Sequence, residues 1–166
     1  MVIRKLTEPD IPQVLALMKE LAIFEQYIDV FAITEADVRE HGFQRSPPTF
    51  SCFVAAEPQP DGTSVIFGML VYYIIPYTAT ATPTLFIKEL FVDARGRGQG
   101  IGTWLMQAAA QEARRLGCGA IKWQVADWNT EGRQFYEKLG AQANPTWIDY
   151  ALSAEAIQAL ADRDSR

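Results

Sequence analysis

The sequence predicts a single α/β domain, and three observations predict it. An apolar run from Leu85 to Val92 reads as a buried strand. The glycine-rich stretch Arg97-Gly98-Gln99-Gly100-Ile101-Gly102 follows it and opens an amphipathic segment, Ile101 to Leu116, that reads as a helix. Ala120 to Val125 is a further apolar strand. Strand, turn, helix and strand in that order make a crossover unit, in which the two strands lie parallel beneath the helix. A chain of 166 residues suits one domain spanning 1–166, large enough for a sizeable core.

Composition narrows the function classes. With 49% hydrophobic and 21% charged residues the chain is globular rather than disordered. A net charge of -5 argues against non-specific nucleic-acid binding and suits a cationic ligand. Pro76 and the threonines after it interrupt the longest apolar run, so no membrane span is expected. The amino terminus Met1-Val2-Ile3-Arg4-Lys5 lacks the apolar run of a signal peptide, which points to a cytoplasmic protein. Cys52 and Cys118 have no metal-ligand spacing; two free thiols are the first reading and one disulfide the alternative. No metal site is expected.

In chain order, Val2 to Leu6 is a short strand, and Thr7 with Asp10 forms a capping box with Pro9 in the first turn. Ile11, Val14, Leu15, Met18, Leu21 and Ala22 recur at helical spacing to about Glu25. Thr34 with Asp37 caps a second, short helix that stops at Gly42. Cys52 to Ala56 is a strand, Pro58-Gln59-Pro60-Asp61-Gly62 a turn, and Val65 to Ile75 the hairpin partner. Tyr77 to Thr84 is a loop. After the glycine turn, Ile101, Leu105, Ala109, Ala113 and Leu116 form one apolar stripe, closed by Gly117. A helix from about Thr130 to Leu139 ends at Gly140; a strand near Trp147 to Leu152 and a frayed helix from Ser153 complete the chain.

Glycines at a strand-to-helix turn let the backbone approach an anion, and the helix that follows offers unpaired N–H groups and its positive dipole end. That predicts a diphosphate site. The lack of an acidic residue closing a following strand argues against a dinucleotide.

Arg97-x-x-Gly100-x-Gly102 at a helix start, then Asn129 and Phe135-Tyr136-x-Lys138-x-Gly140, resembles the GNAT superfamily of acetyl-CoA-dependent N-acetyltransferases. The likeness is strongest to the branch acting on diamines (spermidine and spermine), thialysine and similar amines. Glu20 to Glu25, Thr34 to Asp37, Gly42-Phe43 and Val125 to Asn129 carry that narrower match. The resemblance implies a twisted mixed sheet flanked by helices, with fourth and fifth strands splayed so that the pantetheine arm pairs with the open edge of the fourth. It implies acetyl-CoA as cosubstrate, a small-molecule amine as acceptor, and a homodimer.

Carried over residue by residue, the resemblance places the diphosphate on Arg97, Gly98, Gln99, Gly100, Ile101, Gly102 and Thr103. Asn129 hydrogen-bonds the cofactor or caps the next helix, two compatible roles. N–H groups near Leu90, Phe91 and Val92 polarise the thioester carbonyl. Tyr136 is the general acid for the departing thiolate, with a core aromatic beside Phe135 and Leu139 as the alternative. Phe24, Glu25, Lys88, Glu89 and Trp128 form the acceptor site, with Glu89 as the base, a water relay or no dedicated base as the alternatives; a place at a helix end, on a solvent-facing strand or in simple packing is the alternative for each residue. His41 is structural. Two departures stand out. Arg95-Gly96 replaces bulkier residues and is expected to loosen the approach to the turn. Lys88 replaces the first of two adjacent acidic residues, and strand alternation puts Lys88 and Glu89 on opposite faces unless a bulge intervenes. The resulting expectation is direct, ternary-complex acetyl transfer to a primary amine. A protein or peptide acceptor and a non-catalytic CoA-binding module are the alternatives.

Overall fold

A computed structural model describes residues 1–76, 80–146 and 148–163. The chain falls into two compact units, Met1–Asn129 and Thr130–Arg166.

The first unit holds a five-stranded mixed sheet. Its strands are β1 (Val2–Lys5), β2 (Ser51–Pro58), β3 (Ser64–Ile75), β4 (Thr84–Val92) and β5 (Ala120–Lys122), in that spatial order. The first four pair antiparallel, whereas β4 and β5 run parallel, joined by the crossover helix α3 (Ile101–Arg115). Helices α1 (Ile11–Phe24) and α3 contribute to separate cores. Val14, Leu17, Met18 and Leu21 of α1 share one core with Val54, Met69, Val71 and Phe91. Ile101, Leu105, Ala109 and Ala113 of α3, the stripe expected from the sequence, share the other with Ala55, Leu70, Leu85 and Ile87. Alternate strand residues supply the two sets because successive side chains leave a strand on opposite faces.

Local chemistry explains several element ends. The Asp10 carboxylate accepts from the Thr7 N–H and hydroxyl at 2.9 and 2.7 Å and pairs with Arg4, so α1 is entered through a 3₁₀ turn, Glu8–Asp10. Thr34 and Asp37 cap α2 (Glu35–Arg39) as expected. That helix does not stop at Gly42. It continues as a π-turn through Gln44, and the Phe50 ring lies only 3.2 Å from where a Gly42 Cβ would stand, a close approach that the bare glycine permits. His41 does serve structure, with its Nδ1 3.2 Å from the Thr49 hydroxyl. Both cysteines are free.

Two expected strands are corrected. The last sheet strand spans only Ala120–Lys122, not the stretch to Val125. It pairs with Thr84, Leu85 and Phe86 and then parts from β4, just before a bulge in β4 that adds local twist. The splayed fourth and fifth strands are therefore present. In the second unit, 148–152 is not a strand, and Trp147 lies outside the described residues. The described elements there are α4 (Thr130–Lys138) and α5 (Ala154–Ala161), and among the described residues no strand pairs with 148–152, without which an apolar stretch is not a strand. Of the expected loop from Tyr77, residues 77–79 lie outside the described residues, and Thr84 already belongs to β4.

Candidate acetyltransfer site

The site begins where β4 ends. Asp93 leaves the sheet with its N–H bonded to the Phe67 carbonyl at 2.9 Å. Its carboxylate accepts the Arg95 N–H at 2.7 Å and takes the Arg95 guanidinium in two contacts of 2.9 and 2.8 Å. Those bonds hold the Asp93 carboxyl below its ordinary range, with the Arg95 side chain the largest cause. Gly96 is buried, and a Cβ there would stand 2.8 Å from Ile101 Cδ1 and 3.2 Å from Phe67 Cβ. The expectation that Arg95-Gly96 loosens the turn is thus reversed: Arg95 clamps it, and the bare Gly96 lets α3 seat against the sheet.

Gly98 and Gly100 adopt φ of +75° and +81°, left-handed values that cost an L side chain about 1–2 kcal/mol. No atom lies within 4 Å of a Gly98 Cβ position, so this face of the turn is open. The first backbone bond of α3 runs from Trp104 N–H to Gly100 O at 3.0 Å. Among the described residues, no backbone acceptor takes the N–H groups of Ile101, Gly102 or Thr103. A 15-residue helix focuses its positive end at the same place. The exposed Arg97 donates to the Val92 carbonyl at 3.2 Å, and Gln99 donates to the Arg95 carbonyl at 2.9 Å. Open backbone donors, a dipole end and a cation make a cradle that fits a diphosphate.

Beside the cradle, residues 87–92 of β4 pair with β3 alone, since β5 leaves after Phe86. Leu90, Phe91 and Val92 stand opposite Leu70, Met69 and Gly68, and among the described residues no strand pairs with their other edge. An amide-bearing arm can pair with such an edge.

A second group of side chains assembles where α1 meets β4. Helix α1 closes with Gln26 in a left-handed conformation, φ +62°, and Tyr27 N–H returning to the Ala22 carbonyl at 2.9 Å. In β4, Glu89 pairs with Val71 while Ile87 pairs with Tyr72, so Lys88 is the extra residue of a β-bulge. Leu85 and Ile87 face α3 before the bulge; after it Leu90 and Val92 pack on that side, and Phe91 enters the α1 core. The parity change sends Glu89 to the α1 side and leaves Lys88 exposed at the kink.

Five expected acceptor residues are gathered there. Phe24 and Trp128 meet ring to ring at 5.4 Å, both partly exposed. Glu25, Lys88 and Glu89 interact through their charges. Glu89 Oε2 is buried with no hydrogen-bond partner. Burial pushes the Glu89 carboxyl above its usual range, Lys88 pulls against that, and Glu25 adds to it. Glu25 is raised by burial and restrained by Lys88. Tyr27 and Tyr73 complete the group and were not singled out from the sequence. Burial first, then the Glu89 and Glu25 charges, push the Tyr27 phenol up to about 12; burial and Glu89 raise Tyr73. Both are proton donors near neutrality. Tyr73 continues the alternation of Met69 and Val71, a signal readable in the strand period. Tyr27 carries no such signal, since its place depends on the reversal at Gln26.

Asn129 closes a turn, its N–H 3.0 Å from the Ala126 carbonyl. Tyr136 stands in the second unit on α4, its ring 5.1 Å from that of Phe135. Its carbonyl accepts the N–H groups of Leu139 and Ala141 as the helix ends before Gly140, at φ +87°. Among the described residues, no group of side chains suits a metal ion, and no helix is long and apolar enough to cross a membrane.

The model of the acetyltransferase (GNAT) family matches residues 16–141, most of the chain and both halves of the glycine cradle. The chain is a GNAT acetyltransferase. It is similar to the thialysine N-epsilon-acetyltransferase of Mus musculus, 32% identical over 97% of each chain. It is also similar to an L-ornithine N5-acetyltransferase of Arabidopsis thaliana, 25% identical over 95% of this chain and 86% of that protein. An integron cassette protein of V. cholerae shares the fold at a TM-score of 0.76 and 22% identity, covering 98% of both chains. Family membership and these relatives make the chain an N-acetyltransferase and set aside the non-catalytic module.

Proposed function

We propose that this acetyltransferase moves the acetyl group of acetyl-CoA directly to a primary amine of a small molecule, with both reactants held in one ternary complex. The observation that carries the reading is the buried, unpartnered Glu89 Oε2 on a strand whose free edge leads into the glycine cradle. A buried carboxylate oxygen without a donor is costly, and an incoming ammonium is the donor it lacks. When bound, acetyl-CoA supplies the acyl carbon activated as a thioester.

The chain's own residues then divide the work. Backbone N–H groups from Gln99 to Thr103, with Arg97, hold the diphosphate. N–H groups near Leu90, Phe91 and Val92 polarise the acetyl carbonyl. Glu89 accepts the ammonium proton, directly or through a water, since a protonated amine has no lone pair to attack with. Tyr136 donates its proton to the departing thiolate, and Asn129 holds the cofactor. Phe24 and Trp128 wall the acceptor, and Glu25 and Lys88 bind it. Holding amine and thioester together supplies most of the rate, so a base working through water suffices.

The acceptor belongs to the class named by the relatives, ω-amines of the lysine, ornithine or polyamine kind. The whole chain, 1–166, works as one domain, in the cytoplasm and as a homodimer; the family resemblance and the two free thiols support that setting. The test is release of free CoA thiol from acetyl-CoA across a panel of polyamines, lysine analogues and amino sugars. Turnover on a small amine supports the reading, while turnover confined to peptide amines replaces it with the protein-acceptor alternative.

A further inference from the structure

We infer that Lys88 selects the acceptor by charge, favouring an amine that also carries a carboxylate over the same amine without one. The inference rests on the acceptor site proposed above and names its substrate class. It starts from the bulge. In a regular strand Lys88 and Glu89 would point to opposite faces, which would part the Lys88 ammonium from the Glu89 carboxylate. The extra residue at 88 brings Glu89 to the α1 side instead, where the Lys88 charge favours the charged form of Glu89 and of Glu25.

Lys88 nevertheless makes no direct ion pair among the described residues. It is exposed at the kink, so its charge is free to meet a ligand. The proposed acceptor group therefore combines one exposed cation, the carboxylates of Glu25 and Glu89 and the aromatic pair Phe24 and Trp128. A polycation entering this group meets the like charge of Lys88 within a few ångströms, a repulsion that salt weakens but does not remove at that range. A zwitterionic acceptor meets complementary charges: its carboxylate pairs with Lys88, an α-ammonium with Glu25, and its reacting ammonium with Glu89.

Lysine and cadaverine make a clean comparison, because they share the reacting amine and chain length and differ by the carboxylate. The experiment measures kcat/KM for both in wild type, Lys88→Gln and Lys88→Glu, with acceptor affinity measured in parallel by calorimetry on the protein saturated with CoA. We expect wild type to favour lysine by tenfold or more, Lys88→Gln to bring the ratio towards one, and Lys88→Glu to favour cadaverine. KM should carry most of the change, since Lys88 touches the remote end of the acceptor and not the reacting atoms. A ratio that stays the same in all three proteins, or a wild type that favours cadaverine, overturns the inference and leaves the acetyltransfer reading standing. Absence of turnover with every small amine overturns that reading instead, and the calorimetric lysine-to-cadaverine preference then decides the role of Lys88 alone. Failure of both amines to bind overturns the inference too.

Discussion

Glu89 stands opposite Val71 in the sheet, one step out of phase with the neighbouring pair of Ile87 and Tyr72. That single slip organises the proposed acceptor side of the first unit. It turns Glu89 from the α3 face to the α1 face, where Oε2 is buried beside Glu25, Tyr27 and Tyr73. It also follows immediately on Phe86, the last residue of β4 that pairs with β5. The kink that re-aims the carboxylate and the opening of the strand edge thus occupy adjacent residues, so proposed base and proposed cofactor slot come as one feature of the backbone.

If Glu89 is the base, the acid limb of the kcat/KM profile falls above the ordinary carboxylate range. Burial raises its carboxyl, only the deprotonated form accepts a proton, and activity therefore rises with pH through the raised value. Glu89→Gln should remove this limb and lower kcat by about 10²-fold. Lys88→Gln should move the limb further up, because the lysine charge favours the carboxylate. A limb unchanged in Glu89→Gln assigns the base elsewhere.

Tyr136→Phe keeps the ring against Phe135 and deletes only the hydroxyl. Loss of the acid should lower kcat by about 10²-fold with little effect on the affinity for CoA. Full kcat under conditions where chemistry limits the rate would leave Tyr136 a packing residue.

Gly100→Asp introduces a negative charge and an L side chain at φ +81° beside the cradle. The φ alone costs about 1–2 kcal/mol, and the charge opposes a diphosphate. Calorimetry should show CoA binding lost while circular dichroism retains the fold. Unchanged affinity in a folded variant moves the cofactor off this turn.

Gly96→Ala tests the seating of α3. The new Cβ would meet Ile101 Cδ1 at 2.8 Å, closer than such atoms approach, with Phe67 Cβ at 3.2 Å and Val92 Cγ1 at 3.3 Å, so the end of the Ile101 side chain must move within a tight space. Overpacking of this kind costs about 1–3 kcal/mol, and urea unfolding should show it. Stability equal to wild type would mean that the turn yields at no cost.

Away from the site, Glu112 ties three elements together. It accepts from Lys5 of β1 and Tyr72 of β3, each at 2.8 Å, and from Arg115 at 2.7 Å. Arg115 first, then Lys5 and Tyr72, hold its carboxyl at about 2 against the opposing effect of burial. Folded Glu112 binds its proton less readily than the unfolded chain does, so protonation favours unfolding. Its contribution, about 2 kcal/mol after allowance for the exposed partners, is complete above about pH 4.5 and lost as pH falls towards 2. Glu112→Gln should lower stability at pH 7 by that amount and flatten the urea midpoint between pH 5 and 3. A midpoint that falls as steeply in the variant assigns acid sensitivity to other carboxylates.

Much of this was legible in the chain itself. The glycine cradle, the stripe of α3 and the caps of Thr34 and Gly117 lie within a turn or two of the residues that create them, so sequence spacing reports them directly. Phe24, Glu25 and Trp128 were legible only through family resemblance, since nothing at positions 24, 25 and 128 announces that they meet. Tyr27 was not legible at all: Gln26 adopts its left-handed turn without the glycine that would signal one.

What the sequence by itself determined is therefore the local part: an α/β crossover around a left-handed glycine turn, with a helix start whose open N–H groups suit an anion. The tertiary structure alone decided the length of β5, the seating of Gly96 against Ile101 and the bulge that brings Lys88 and Glu89 to one carboxylate-lined group. The physical reason is that strand register belongs to a pair of strands. Whether residue 88 is paired or extruded depends on which residues of β3 the β4 backbone can reach while both cores are filled, and no window of neighbouring residues contains that choice.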